Sequence, residues 1–206
     1  MAAIIFDFDG TIADSFDYVV DLLATEAGRE PLTADQQAEL RGLSMAAIGR
    51  RFGHSWPRLF WLFIKGRKRM GPSMRQIKPF VGMPEIIQKL HAEGHELFIV
   101  STNTVRNVRT FLHHRDLHKY FLEIYGGVGL FSKAPALRKL LRANSILMSD
   151  AIYVGDELRD VEAAQSLGLR VIAVSWGFSR FSDLESHNPS ALAESPEQLL
   201  KLLEEI

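Results

Sequence analysis

Two carboxylates, Asp7 and Asp9, stand two positions apart directly after the apolar run Ala2 to Phe6, with Gly10 and Thr11 behind them. Close carboxylates repel unless a cation, a shared proton or a basic neighbour offsets their charge, so the pair by itself asks for a partner. Three further clusters carry chemistry of a matching kind. Thr102 and Asn103 follow the stretch Leu97 to Ser101 and put a hydroxyl and an amide where a helix begins, a position suited to a phosphate or another oxyanion. Lys133 comes after a turn bearing Gly126, Gly127 and Gly129 and before a helical pattern from Ala134. Gly155-Asp156-x-x-x-Asp160 ends the apolar strand Ile152 to Val154 with a second acidic pair, its two aspartates about one helical turn apart.

Each cluster taken singly has a plainer reading. An isolated Asp-x-Asp-Gly can be a turn, Thr102 and Asn103 can be helix caps, a lone lysine is normally solvated, and Asp160 sits where the first turn of a helix favours acids. A calcium loop does not fit: it needs glycine sixth and an acid twelfth, whereas here the glycine is fourth and Val19 and Val20 stand around the expected acid.

Composition narrows the classes. The 206 residues are 47 % hydrophobic with a net charge of −1, enough to bury a sizeable core and without the basic balance that would recruit nucleic acid or an anionic membrane. Zero cysteines exclude disulfides, thiolate zinc sites and cysteine nucleophiles. The first residues lack a basic start and meet Asp7 early, unlike a signal peptide, and no apolar stretch is long enough to span a bilayer. The expected location is the cytoplasm.

These side chains need elements to hold them. Short apolar strands alternate with amphipathic helices: strands at Ala2 to Phe6, Leu97 to Ser101, Glu123 to Tyr125, Ala151 to Gly155 and Arg170 to Val174, and helices from Asp14 or Ser15 to Gly28, Val105 to His114, Ala134 to Ala143 and Leu158 to Leu167. Gly168 reads as a left-handed helix stop, and Ser195, Pro196 and Gln198 as a capping box for a last helix, Glu197 to Glu205. Such alternation gives an α/β fold, a mostly parallel sheet with helices on both faces. From Phe16 to Pro79 the rhythm breaks into helical patterns without a convincing strand. The expectation is therefore a core domain of residues 1–15 and 80–206, with 16–79 a helical domain inserted after the first strand, where it would overhang the strand ends.

The ordered set Asp7-x-Asp9-Gly10-Thr11, Thr102-Asn103, Lys133 and Gly155-Asp156-x-x-x-Asp160 resembles the four motifs of the haloacid dehalogenase superfamily, over Ala2 to about Val174. The inserted segment resembles that family's cap, and Trp176-Gly177-Phe178 resembles the phosphoglycolate-phosphatase-like branch. The resemblance implies a Rossmann-like, doubly wound core. It also implies phosphoryl transfer, because members with other chemistries lack an acid at the position of Asp9.

By the same resemblance, Asp7 is the nucleophile that attacks phosphorus, and Asp9 protonates the leaving alkoxide and then takes a proton from the hydrolytic water. Mg²⁺ is the implied cofactor, held by a carboxylate oxygen of Asp7, the backbone carbonyl of Asp9 and the carboxylate of Asp156. Lys133 neutralises Asp7 and the phosphoryl oxygens, which Thr102, Asn103 and donors around Gly10 and Thr11 also bind. Asp160 holds either a metal-bound water or Lys133, unless it merely sits at its helix start. The implied activity is a Mg²⁺-dependent phosphatase for a small phosphorylated metabolite, phosphoglycolate-like or a sugar phosphate. The alternatives are a phosphomutase of the β-phosphoglucomutase kind and a non-catalytic binding module on the same scaffold. The substrate and the oligomeric state are not encoded in any motif.

Other features read more plainly. Lys65 to Arg69 is a solvated surface run. Leu59 to Ile64, apolar on every face, belongs in a core. His113, His114 and His118 suit a helix end. Arg41, Arg50 and Arg51 are candidates to meet an anionic substrate.

Overall fold

The computed structural model describes residues 1–206 apart from 42, 44, 56, 57, 59, 60, 63, 64, 67–69, 130–132 and 206. Eight strands are present among them: β1 (Ala3–Phe6), β2 (Ala13–Asp14), β3 (Lys78–Pro79), β4 (Glu96–Val100), β5 (Phe121–Tyr125), β6 (Ala151–Gly155), β7 (Arg170–Val174) and β8 (Ala191–Ala193). The helices are α1 (Phe16–Glu26), α2 (Ala34–Leu40), α3 (Met45–Arg51), α4 (Met83–Ala92), α5 (Val105–His114), α6 (Lys133–Ala143), α7 (Leu158–Gln165), α8 (Phe181–Ser186) and α9 (Pro196–Glu204).

Six strands form one sheet in the order β5-β4-β1-β6-β7-β8, every pair parallel. This is the expected α/β architecture, and the sheet's alternating sides explain the apolar runs. Ile4 and Phe6 join one buried cluster with α4, α5 and α9, while Ala3 and Ile5 join another with α6, α7 and α8. A strand buried on both faces has no polar side to show. Ile4, Ile5 and Phe6 are each 0 % exposed, and each stabilises the fold by roughly 1.5–3 kcal/mol.

The register brings three strand ends level. Phe6 lies beside Ile99 on one side and Val154 on the other, so the residues after β1, β4 and β6 emerge together at the carboxyl edge. The chain runs outward from β1 through β4 to β5, then crosses back to β6 on the far side. A crevice opens where the strand order reverses in this way, and ligands collect there.

Several boundaries differ from the sequence reading. Lys133 is the first residue of α6, not the residue before it. Lys78–Pro79, inside the stretch read as strandless, pairs antiparallel with Ala13–Asp14; a two-residue ribbon is too short to leave a periodicity. β8 and α8 went unread for the same reason. Ser195 accepts from the Gln198 backbone, but the Gln198 side chain takes the Glu194 amide, so only half of the expected box forms. Gly168 has φ +71°, the expected left-handed stop.

Of the apolar run Leu59 to Ile64, residues 59, 60, 63 and 64 lie outside the described set. Leu62 is buried, whereas Trp61 is 54 % exposed with the Lys65 ammonium 4.5 Å above its ring. The cation covers the indole face, which replaces the burial expected there. Of Lys65 to Arg69, residues 67–69 likewise lie outside the described set. Among the described residues no helix is long and apolar enough to cross a membrane.

Candidate active site

Asp7 is the first residue past β1, and its amide still donates to the Val154 carbonyl of β6 at 2.8 Å. The chain then folds into a tight loop. Phe8 gives its carbonyl to the amides of Ile12 and Ala13, Gly10 donates to the Ala13 carbonyl, and the Phe8 amide turns back onto Asp7 Oδ1 at 2.7 Å. Gly10 makes the loop possible. It sits at φ +80°, and a side chain there would run into Asp156 and Phe178.

Asp7 and Asp9 separate at once into different surroundings. Asp7 turns inward: Lys133 Nζ donates to its Oδ2 at 2.6 Å, with both side chains shielded from solvent. Asp9 turns to the other side, where Ser15 Oγ donates to Oδ1 and Asn103 Nδ2 to Oδ2, each at 2.9 Å. Ser15, expected to cap α1, makes no side-chain cap; its hydroxyl orients Asp9 instead.

The loop after β4 is built to aim Asn103. The Asn103 amide donates to Ser101 Oγ, its Oδ1 accepts from the Thr104 amide and from Asn107 Nδ2, and the Gly127 amide donates to its carbonyl. Thr104, not Thr102 or Asn103, caps α5. Thr102 and Asn103 are thereby released from the plainer role and face the site.

Asp160 is fully buried and receives Lys133, the Tyr153 hydroxyl at 3.1 Å and the Glu157 amide at 3.0 Å. Of the roles left open for it, the structure shows both the grip on Lys133 through Oδ1 and the helix start, where Oδ2 accepts the N-cap amide of Glu157. Asp156 is held from both sides, Thr11 Oγ1 donating to Oδ1 at 2.8 Å and the Phe178 amide to Oδ2 at 2.7 Å. The Thr11 hydroxyl and the Gly10 amide are thus engaged inside the protein rather than turned to a ligand. Trp176 completes the clamp through Nε1, which donates to the Thr11 carbonyl at 3.2 Å. Gly177 has no room for a side chain, since a Cβ there would overlap the Asp156 carboxylate.

Electrostatically the cluster is short of positive charge. Burial pushes the Asp7 carboxyl up to about 7, against the pull of Lys133 and with a further push from Asp160. Burial also raises Asp156 well above the usual carboxylate range, helped by Glu157 and Asp7. Lys133 stays above its ordinary value: burial works to lower it, but Asp160 and Asp7 flank it. Asp7, Asp156 and Asp160 bring ligand oxygens within 4.8 Å of one another, three carboxylates around one ammonium. An all-oxygen, net-negative and buried donor set fits a hard divalent cation such as Mg²⁺.

A cavity opens over this cluster, lined by Asp7, Asp9, Thr102, Glu157 and Arg159 on one side and by apolar residues from before Pro79 on the other. Arg159 and Glu157 were not singled out in the sequence. The one signal was a cation in the first turn of a helix, where the macrodipole disfavours it. Arg41 instead pairs with Asp17 at 2.8 Å and Arg51 with Glu39 at 3.0 Å, and Arg41, Arg50 and Arg51 are all absent from the cavity wall among the described residues.

A family model described as haloacid dehalogenase-like hydrolase matches residues 4–174, a span that contains all four clusters. This chain belongs to the haloacid dehalogenase-like hydrolases. Within that family a phosphoglycolate phosphatase of Synechococcus elongatus is 34 % identical over 209 residues, covering 100 % of this chain and 99 % of that protein. A phosphoglycolate phosphatase of Vibrio parahaemolyticus is 26 % identical, covering 97 % and 95 %. A haloacid dehalogenase-like hydrolase of Streptococcus pneumoniae shares the fold, with a TM-score of 0.77 at 21 % identity and 98 % of each chain covered. This haloacid dehalogenase-like hydrolase is thus of the phosphoglycolate-phosphatase-like branch, as Trp176-Gly177-Phe178 suggested, and is a phosphatase.

Proposed function

We propose that this phosphatase hydrolyses a small phosphomonoester of the phosphoglycolate kind through a phosphorylated aspartate, with Asp7 as nucleophile, Asp9 as acid and base, and Mg²⁺ as cofactor. The observation that carries the reading is the divergence of Asp7 and Asp9. Two residues apart in sequence, one carboxylate is paired with Lys133 and the other is presented by Ser15 and Asn103.

Asp7 attacks phosphorus and becomes an acyl phosphate while the ester oxygen leaves. Asp9 gives that oxygen a proton and later accepts one from the water that releases phosphate. Lys133 holds Asp7 in place and meets the charge of the phosphoryl oxygens; Thr102 and Asn103 supply oriented polar contacts. Asp160 fixes Lys133 in turn. Mg²⁺, held by Asp7, the Asp9 carbonyl and Asp156, would supply the charge compensation that lets two anions meet. Residues 16–79 act as the cap that closes over the core of residues 1–15 and 80–206 and keeps bulk water from the acyl phosphate.

Phosphate release from a panel of phosphomonoesters with Mg²⁺ tests the reading, with Asp7→Asn as the control. The expected result is turnover by the wild type and none by the variant, whose circular dichroism is unchanged. Equal turnover by Asp7→Asn would remove the assignment.

A further inference from the structure

Arg159 stands where a helix least favours it. It is the second residue of α7, inside the first turn, and the exposed amides there attract anions and repel cations. A residue that breaks a local rule is expected at functional sites more than elsewhere.

What it breaks the rule for is visible in its surroundings. Arg159 lines the cavity shared by Asp7, Asp9 and Thr102, and among the described lining residues it is the one cation. Glu157 accepts from one Nη group. Nε is shut off from solvent and reaches no acceptor among the described groups. With one ion pair engaged, the guanidinium keeps charge and donors that a ligand oxygen can use. The guanidinium fork fits a planar carboxylate in particular.

The opposite wall limits what carries that oxygen. Leu22, Leu23, Leu62 and Met70 offer no side-chain partner to sugar hydroxyls, each of which would lose its water there without replacement. A short carbon skeleton meets no such penalty.

We propose that Arg159 is the specificity-determining residue of this enzyme: it receives a carboxylate at the end of the substrate remote from the phosphoryl group, and so selects short phosphorylated acids over neutral esters of the same size. The proposal rests on the phosphatase reading above. Lys133, Thr102 and Asn103 serve the phosphoryl end, and Arg159 serves the other. Glu157 keeps the guanidinium aimed by holding one Nη group, and the charge and remaining donors of the fork serve the incoming acid.

The matched esters 2-phosphoglycolate and ethyl phosphate, which differ by a carboxylate against a methyl group, test it in the presence of Mg²⁺. The wild type is expected to prefer 2-phosphoglycolate in kcat/KM by about 100-fold, the worth of a charge-assisted contact made by one ester alone. Arg159→Met, which keeps the length of the side chain and loses its charge, should cut that ratio by roughly 10- to 100-fold, chiefly through KM for 2-phosphoglycolate. A fall of both esters together with the ratio intact would mean that Arg159 serves the phosphoryl group or the fold, and overturns the proposal. Equal use of both esters by the wild type overturns it as well, while leaving the phosphatase reading standing. Release of phosphate from neither ester, or from any other monoester, overturns both. Should Arg159→Met fail to fold, Arg159→Lys, which keeps a charge without the fork, is expected to lower the ratio by about 10-fold, and an unchanged ratio counts against the proposal.

Discussion

Lys133 Nζ lies 2.6 Å from Asp7 Oδ2, joining residues 126 positions apart whose side chains are 2 % and 4 % exposed. Removing one partner of a buried pair leaves the other without compensation, which is worse than never having had the pair. Lys133→Met leaves Asp7 and Asp160 facing each other in the core. Urea unfolding should show a loss of about 3 kcal/mol, softened if one carboxyl takes up a proton. Phosphatase activity should vanish with it. A loss below about 1 kcal/mol would mean that the ammonium carries little of the cluster's charge.

Asp9 is presented to the cavity by Ser15 and Asn103. As the proton donor it should matter most for esters whose leaving group is a poor one. Asp9→Asn is expected to lower kcat by roughly 10²- to 10⁴-fold for an alkyl phosphate and far less for p-nitrophenyl phosphate. Equal losses for the two esters would argue that Asp9 does not handle the leaving-group proton.

The raised carboxyls predict a pH-dependent response to Mg²⁺. In the unfolded chain Asp7 gives up its proton near 3.8, whereas in the metal-free fold it keeps it up to about 7. Its contribution to stability is therefore full below 3.8 and is lost as pH rises through about 7. Asp156 is shifted in the same direction by burial. Mg²⁺ competes with those protons, so its binding is weaker in acid and releases protons. Saturating Mg²⁺ should stabilise the protein more at about pH 8 than at about pH 6, by roughly 1 kcal/mol for one group titrating near 7. Thermal melts at the two pH values check this, and equal shifts would count against Asp7 as a ligand.

Gly177 and Phe178 hold Asp156 from outside the four clusters. The Phe178 amide donates to Asp156 Oδ2 at 2.7 Å, and a Cβ on Gly177 would overlap that carboxylate. Gly177→Ala should move the carboxylate and weaken Mg²⁺ binding by about 10- to 100-fold, as loss of outer support to a ligand typically does. Isothermal titration with Mg²⁺ measures it. Unaltered affinity would show that Asp156 can shift without consequence for the metal.

The chain's own order of residues determined the alternation of apolar strands and amphipathic helices, and with it the parallel sheet, because strands buried on both faces must read as continuous apolar runs. It also determined that Asp7, Thr102 and Asp156 follow strand ends, since each stands just after an apolar run, and that Lys133 stands at a helix start. Short elements left no such trace: β3 is two residues long and β8 three, less than any periodicity can register. Only the tertiary structure decided what each polar group faces. Ser15 could cap a helix or hold Asp9, Thr11 could meet a ligand or hold Asp156, and Asp160 could sit at a helix start or grip Lys133; the first two took the loop or long-range partner, and Asp160 does both. Those choices depend on which strand ends the register brings level and on the low dielectric of the buried edge, where an unpaired polar group is costly. Arg159 belongs to the same class, because the motif around it places its helix at the strand end but does not tell that this side chain lines the cavity.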